Sequence, residues 1–232
     1  MKKFELTAEF VTNVFGKKLF RIKALVAFGN VEKGELGGFI EKGDNLSHDG
    51  DAWVYGDALV YGNARVYGNA RVYGNARVSG NARVSGDAWV YGNALVSGNA
   101  LVYGNALVSG NALVYGNARV SGNALVSGDA QVSGNAQVSG NAEVSGDAQV
   151  SGNADYAAVK GFGRYFRATT FFRCKDKILR VQCGCFYGDL AQFREIVKKT
   201  HGDSKYAKEY LAIADLMELH FSDGEENQEA DE

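Results

Sequence analysis

Glycine recurs at every sixth residue from Gly50 to Gly152, 18 times without a break, and each is followed by Asn or Asp and then by Ala. Valine keeps the same period from Val54 to Val150, so the unit reads Ala-x-Val-Tyr/Ser-Gly-Asn/Asp. Self-similarity at a short fixed period marks a stacked repeat, and no helix has a period of six. Within the unit, Ala and Val are two residues apart and project to one side of a short extended segment, while x and Tyr or Ser project to the other. Gly takes positive φ freely and Asn or Asp tolerates it, so each hexad is one short strand plus one corner. Three hexads close a triangular coil with Ala and Val inside. Coils stack about 4.8 Å apart, so the repeats make roughly six coils and a rod about 30 Å long. The chain has 30 glycines and no proline. That combination suits a backbone in which nearly every N–H pairs with a neighbouring coil, leaving no place for a residue without that donor. Asn stacked over Asn at the corners should form side-chain amide ladders.

This pattern resembles the hexapeptide-repeat left-handed β-helix, in which an aliphatic residue is followed four positions later by a small one, as Val54 is by Ala58. The left hand follows from that resemblance, since the general rule for parallel crossovers favours the right hand, which stays the alternative. The flanks quote a narrower resemblance. Gly37-Gly38-Phe39-Ile40-Glu41 ahead of the repeats and Cys183-Gly184-Cys185-Phe186 after them are similar to bacterial and phage hexapeptide-repeat proteins with such a cap and C-terminal module. That family has no established activity. The resemblance implies an accessory protein of phage or prophage that binds or sequesters a host factor or ligand.

The expected fold is mainly β: a single-stranded left-handed parallel β-helix with an N-terminal β cap and a small C-terminal α+β module. Residues 1–49 form the cap, with strands over 4–14 and 18–28 and degenerate first hexads over 34–49 that slip by two residues before Gly50. Residues 50–155 form the rod. Residues 156–222 form the module, with strands over 164–173 and 178–186, a helix over 190–199 capped by Asp189, and a second over 205–221. Leu211, Ala214, Leu216 and Leu219, with Ile213 and Met217, give that second helix a broad apolar face. Residues 223–232 carry six acids and read as a disordered tail.

The formal net charge of −2 excludes the global positive field of a dedicated nucleic-acid binder. No apolar run approaches the length of a membrane-spanning helix, and no secretory leader is evident, so a cytoplasmic location is expected. Hexapeptide-repeat enzymes are mostly CoA-dependent acyltransferases with a catalytic His on a coil, but the repeats contain no His. His48, beside the rod, is the weak candidate for a general base, against a turn or capping role. Cys174, Cys183, Cys185 and His201 could supply four zinc ligands, against buried thiols packed under the helices. The segment from Lys160 to Arg180 holds seven basic residues against one acid. Arg164, Arg167, Arg173, Lys175, Lys177 and Arg180, interleaved with aromatics, could hold single-stranded nucleic acid; the alternative is a hairpin that buries its aromatics and solvates its charges.

The outward positions sort into three rows. One carries Trp53, Arg71 and Trp89 with Tyr55, Tyr73 and Tyr91, a second carries Leu59, Arg77, Leu95 and Leu113, and a third carries Arg65, Arg83, Leu101 and Arg119. Registered aromatic and leucine rows form an apolar patch that a monomer does not normally expose. The expected interface is therefore Trp53, Tyr55, Arg71, Tyr73, Trp89, Tyr91, Leu95 and Leu113, used in a homodimer or trimer, with a protein partner on the rod face or the C-terminal module. No cofactor is expected. The favoured function is a non-enzymatic interaction scaffold. Acyl transfer and nucleic-acid binding are the alternatives.

Overall fold

The computed structural model describes residues 2–222, which divide into two compact units between Asn153 and Ala154. The first opens with an antiparallel hairpin, β1 (Phe4–Thr12) and β2 (Lys18–Ala24), followed by β3 (Leu36–Ile40). Then come 17 two-residue strands, β4 (Trp53–Val54) to β20 (Gln149–Val150), one per hexad. Every third strand pairs in parallel with its counterpart 18 residues on, as Trp89 does with Leu107 and Leu95 with Leu113. The result is a parallel β-solenoid of about six turns with three flat faces. Trp53, Arg71, Trp89, Leu107, Leu125 and Glu143 mark the first face, and Leu59, Arg77, Leu95 and Leu113 the second. Arg65, Arg83, Leu101 and Arg119 mark the third.

The repeat alanines from Ala52 to Ala148 and valines from Val54 to Val150 are fully buried, so the core is a column of small and β-branched side chains. Corner glycines from Gly50 to Gly146 have φ between 57° and 72°, the left-handed region that a side chain enters only with strain. Amide ladders run along the corners, as in Asn81 to Asn99 and Asn99 to Asn117, each Nδ2 donating to the Oδ1 of the next coil at 3.0 Å. Aspartate accepts but cannot donate. Asn69 donates to Asp87 at 3.0 Å, and Asn105 starts a fresh ladder by donating to Asn123 at 3.0 Å.

Many of the backbone bonds between coils share one direction. Leu95 N–H donates to Ala112 O at 2.9 Å and Asn99 N–H to Gly116 O at 2.7 Å, so at these positions the amides point to the coil after, while alanine amides such as that of Ala100 close the turn within their own coil by donating to Ser97 O at 3.3 Å. The first coil's carbonyls have no coil before them, and buried carbonyls left unpaired are costly. The N-terminal segment supplies donors at all three corners. Lys3 Nζ donates to Gly50 O at 3.1 Å and Ala52 O at 2.8 Å. Phe39 N–H donates to Ala58 O at 2.9 Å, beside Arg21, whose Nη1 donates to Gly37 O at 2.9 Å. Asn45 Nδ2 donates to Gly62 O at 3.1 Å and Ala64 O at 2.8 Å. The two-residue slip is real: Ile40 pairs with Val60 and Leu46 with Val66, 20 rather than 18 residues apart.

The second unit is a four-stranded antiparallel sheet, β21 (Tyr156–Val159), β22 (Thr169–Arg173), β23 (Leu179–Cys183) and β24 (Phe186–Asp189), with α1 (Leu190–His201) and α2 (Lys205–Phe221). It differs from the expected pair of long strands. Residues 164–168 lie outside the sheet because Gly163 and Phe166 take left-handed φ of 70° and 52°. Gly184, at φ 59°, turns the expected second strand into a hairpin, so Cys183 and Cys185 do not share a strand. Asp189 caps α1 through the Gln192 N–H and Ser204 caps α2 through Ala207 N–H. The buried face of α2 is Ala207, Tyr210, Ile213, Ala214, Met217 and Phe221, whereas Leu216 and Leu219 are exposed, a correction to the expected apolar stripe. Residues 223–232, read as a tail, lie outside the described residues.

Candidate functional site

Three places gather the residues that chemistry or recognition would use. The first is the aromatic face of the rod. Arg71, Trp89, Leu107, Leu125 and Glu143 follow one another at one coil per step. Tyr73 and Tyr91 stack with ring centroids 5.0 Å apart and planes within 2°. Trp89 sets its edge against Tyr73 at 6.1 Å, and the Arg71 guanidinium lies 5.4 Å from the Trp89 ring centre. Trp89 is 37% exposed. Trp53 departs from expectation: it is fully buried, closed in by Phe28 at 5.3 Å and Phe4 at 6.3 Å. It is a foundation of the cap and offers nothing to a partner. Tyr55 is half-buried beside it, and Leu95 and Leu113 lie adjacent on the second face.

The second place is the N-terminal end of the rod. His48 stacks on Phe4 with ring centroids 4.3 Å apart, and its Nδ1 accepts the Lys3 backbone N–H at 3.2 Å. A neutral imidazole that accepts at Nδ1 carries its proton on Nε2 and has no free lone pair for a substrate proton. Burial, aided by the nearby Lys3 and Lys2 charges, holds its pKa below the ordinary value. A cleft of about 670 Å³ opens beside it, lined by Ser47, Arg65, Tyr67 and Arg83 among others. The geometry of His48 is that of a capping residue.

Lys3 carries the other titration at this end. Burial pushes its pKa from 10.5 down to about 8, against the opposing pull of Asp51 and Asp49. The unfolded chain keeps the proton up to 10.5, so between pH 8 and 10.5 it binds more protons than the folded chain and stability rises with pH. Unfolding free energy should gain on the order of 2–3 kcal/mol across that window from this group. Chemical denaturation of the native chain and a Lys3→Met variant checks it, because the gain should vanish in the variant.

The third place is a cleft of about 440 Å³ in the C-terminal unit, lined by Arg164, Tyr165, Arg167, Cys183, Cys185, Phe186, Phe193, Ile196, Val197, Thr200, His201 and Tyr210. His201 stacks on Tyr210 with ring centroids 5.8 Å apart. Burial and the adjacent Cys183 raise the Tyr210 phenol to about 12, so it stays protonated. Cys183, Cys185 and His201 share this cleft, while Cys174 is buried near the Tyr187 hydroxyl at 3.9 Å. Among the described residues no group of three or more His, Cys, Asp or Glu side chains could hold a metal ion.

The basic residues of 160–180 do not form one tract. Arg164 and Arg167 border the cleft, at the end of the sheet where Thr169 pairs with Cys183. Arg173 lies at the opposite end of those strands, where it pairs with Leu179, and its Nη2 donates to Phe221 O at 2.8 Å. Arg180 is paired with Asp176 at 2.7 Å, and Lys175 and Lys177 flank that turn. Sequence reasoning missed Lys3 and Asn45 as corner donors and Tyr210 as a lining residue of the cleft. None carries a local signal, since each is defined by what the fold leaves unpaired beside it. Among the described residues no helix is long and apolar enough to cross a membrane.

No curated protein matches the chain. A family model, the YdcK beta solenoid repeat, matches residues 64–79, 76–92, 88–104, 100–116, 118–134, 130–146 and 136–152. The 18-residue stacking register runs through this stretch, so the rod is a β-solenoid similar in its repeats to the YdcK type.

Proposed function

We propose that the protein is a non-catalytic β-solenoid scaffold that pairs with a second copy of itself through the first face of the rod. The carrying observation is the order Arg71, Trp89, Leu107, Leu125, Glu143 along that face. A two-fold axis through Leu107 makes this row its own complement. Arg71 then meets Glu143 of the second copy, Trp89 meets Leu125, and Leu107 meets Leu107. Isologous contacts require such self-complementarity. The backbone under the face is held by parallel pairing between coils, so little backbone entropy is lost on association. The Tyr73–Tyr91 stack flanks the row and extends its apolar area.

Sedimentation equilibrium on the full chain tests this. The native protein should be a dimer, and Trp89→Glu should weaken association by about 100-fold, the effect of losing an aromatic anchor. Arg71→Glu should weaken it by about tenfold, and adding Glu143→Arg to that variant should restore it. A monomeric native protein, or a charge reversal that fails to restore pairing, overturns the two-fold arrangement.

A further inference from the structure

Going beyond self-association, we propose that the C-terminal unit binds a small aromatic oxyanion, a ring bearing a carboxylate or phosphate, in the cleft between α1 and the loop ahead of β22. Three independent features converge on it. First, the cleft has the size and character of a ligand site: about 440 Å³, with an apolar floor of Phe186, Phe193 and Val197 and a rim of polar groups. Second, its charge has one sign. Arg164 and Arg167 border it and no carboxylate lines it among the described residues. Neither arginine forms an ion pair among the described residues, in contrast to Arg180 and Arg194. Both guanidiniums lie against the Tyr165 ring, at 5.7 Å and 5.1 Å from its centre, so one aromatic ring gathers the two cations.

Third, the loop that carries them is held in a conformation that costs energy. Phe166 has φ 52° while its side chain is 65% exposed, and Tyr165 is equally exposed. Left-handed backbone at a bulky, solvated residue is strain with no packing return in the unliganded chain, the pattern seen at ligand clamps. The loop is tied down behind the strain. Gly163 N–H donates to Glu209 Oε2 at 2.9 Å, and Gly163 lies so close on Tyr210 that any side chain there would overlap the phenol. Gly184 leaves room for the Arg167 guanidinium in the same way.

A ligand ring would lie on the apolar floor, and its oxyanion would reach the two guanidiniums, which suit planar oxyanions by geometry as well as charge. The separation of Arg173, Lys175, Lys177 and Arg180 at the far end of the sheet favours a compact ligand over a nucleic-acid strand, which needs a continuous basic track.

Isothermal titration calorimetry of the full chain with phenyl phosphate, benzoate, inorganic phosphate and a ten-nucleotide oligothymidylate decides it. At least one aryl probe should bind one per chain with a Kd of about 1 mM or tighter. Inorganic phosphate should bind at least about tenfold more weakly, because it has no ring to bury. Arg164→Ala/Arg167→Ala should weaken the aryl probe by at least about tenfold, with an unchanged circular dichroism spectrum, since both side chains are solvent-exposed. Tyr165→Leu, which keeps the arginines, should lower the preference for aryl probes over inorganic phosphate. No saturable aryl binding, or aryl binding indifferent to the double substitution, overturns the proposal. So does oligonucleotide binding that is tighter and strongly salt-dependent, which would make the arginines part of a polynucleotide surface.

Discussion

Replacing Gly98 with alanine should lower the unfolding free energy by about 3–4 kcal/mol, while the same replacement at Gly56 or Gly140 should cost only about 1–2 kcal/mol. All three take positive φ, of 67°, 57° and 70°, so each alanine meets the same left-handed penalty. Only at Gly98 does the new Cβ also run into the next coil, 2.9 Å from Gly116 N and 3.0 Å from Gly116 O. Those are backbone atoms fixed in the ladder and cannot move aside. Among the described residues nothing lies within 4 Å of a Cβ at Gly56 or Gly140. Urea denaturation of the three variants separates the terms. Equal losses would mean that backbone conformation alone sets the glycine requirement, and that the coils can spread to admit a methyl group.

The second large effect is expected at Asn45, which is fully buried. Its amide donates to Gly62 O and Ala64 O, and its Oδ1 accepts the Lys42 N–H at 2.9 Å. Asn45→Leu strands two carbonyls and one amide at the third corner and should cost about 3–4 kcal/mol, each unpaired buried group costing about 1–3 kcal/mol less whatever water recovers. Asn45→Asp keeps the acceptor for Lys42 but turns a carboxylate toward two carbonyls. Its folded pKa should therefore rise above the unfolded value of about 4. A raised folded pKa confers stability that is fully present below the unfolded value and lost as pH rises through the folded one. Asn45→Asp should therefore approach the native chain in acid and fall furthest below it at neutral pH. The difference in unfolding free energy between the two proteins across pH measures this. An aspartate variant as stable as the native chain at pH 7 would show that the amide donor does not close the corner.

The rod was legible because its information is redundant. A six-residue period, Ala and Val in phase, and glycine at each corner all state the same geometry, and the three faces follow by counting. The two-residue slip could be seen because Ile40 and Leu46 keep the hexad spacing ahead of it. The ends were less legible for a physical reason. Lys3 and Asn45 matter because of carbonyls that lie 47 and 17 residues away, and no local pattern announces such a pairing. Trp53 read as an outward residue from its phase, correctly, but the hairpin folds back and covers it, which phase cannot convey. In the C-terminal unit, Phe166 hid the loop. A phenylalanine in left-handed backbone violates its own preference, so residues 164–168 read as strand. Once that loop is placed, Arg164 and Arg167 part from Arg173 and Arg180, and a basic stretch of sequence becomes two separate locations.

The stacking step of 18 residues gives the rod a unit of inheritance larger than its repeat. Loss or duplication of one hexad leaves every corner and every buried valine in place, so the chain still folds, but all later side chains move one face around the axis. A change between Trp89 and Leu107 would take Leu107 out of that row, and the order on which the proposed pairing rests would dissolve in a protein that is still stable. Only whole coils can be gained or lost without scrambling what the surface says. Foldability therefore tolerates drift in steps of six, while recognition tolerates it only in steps of 18.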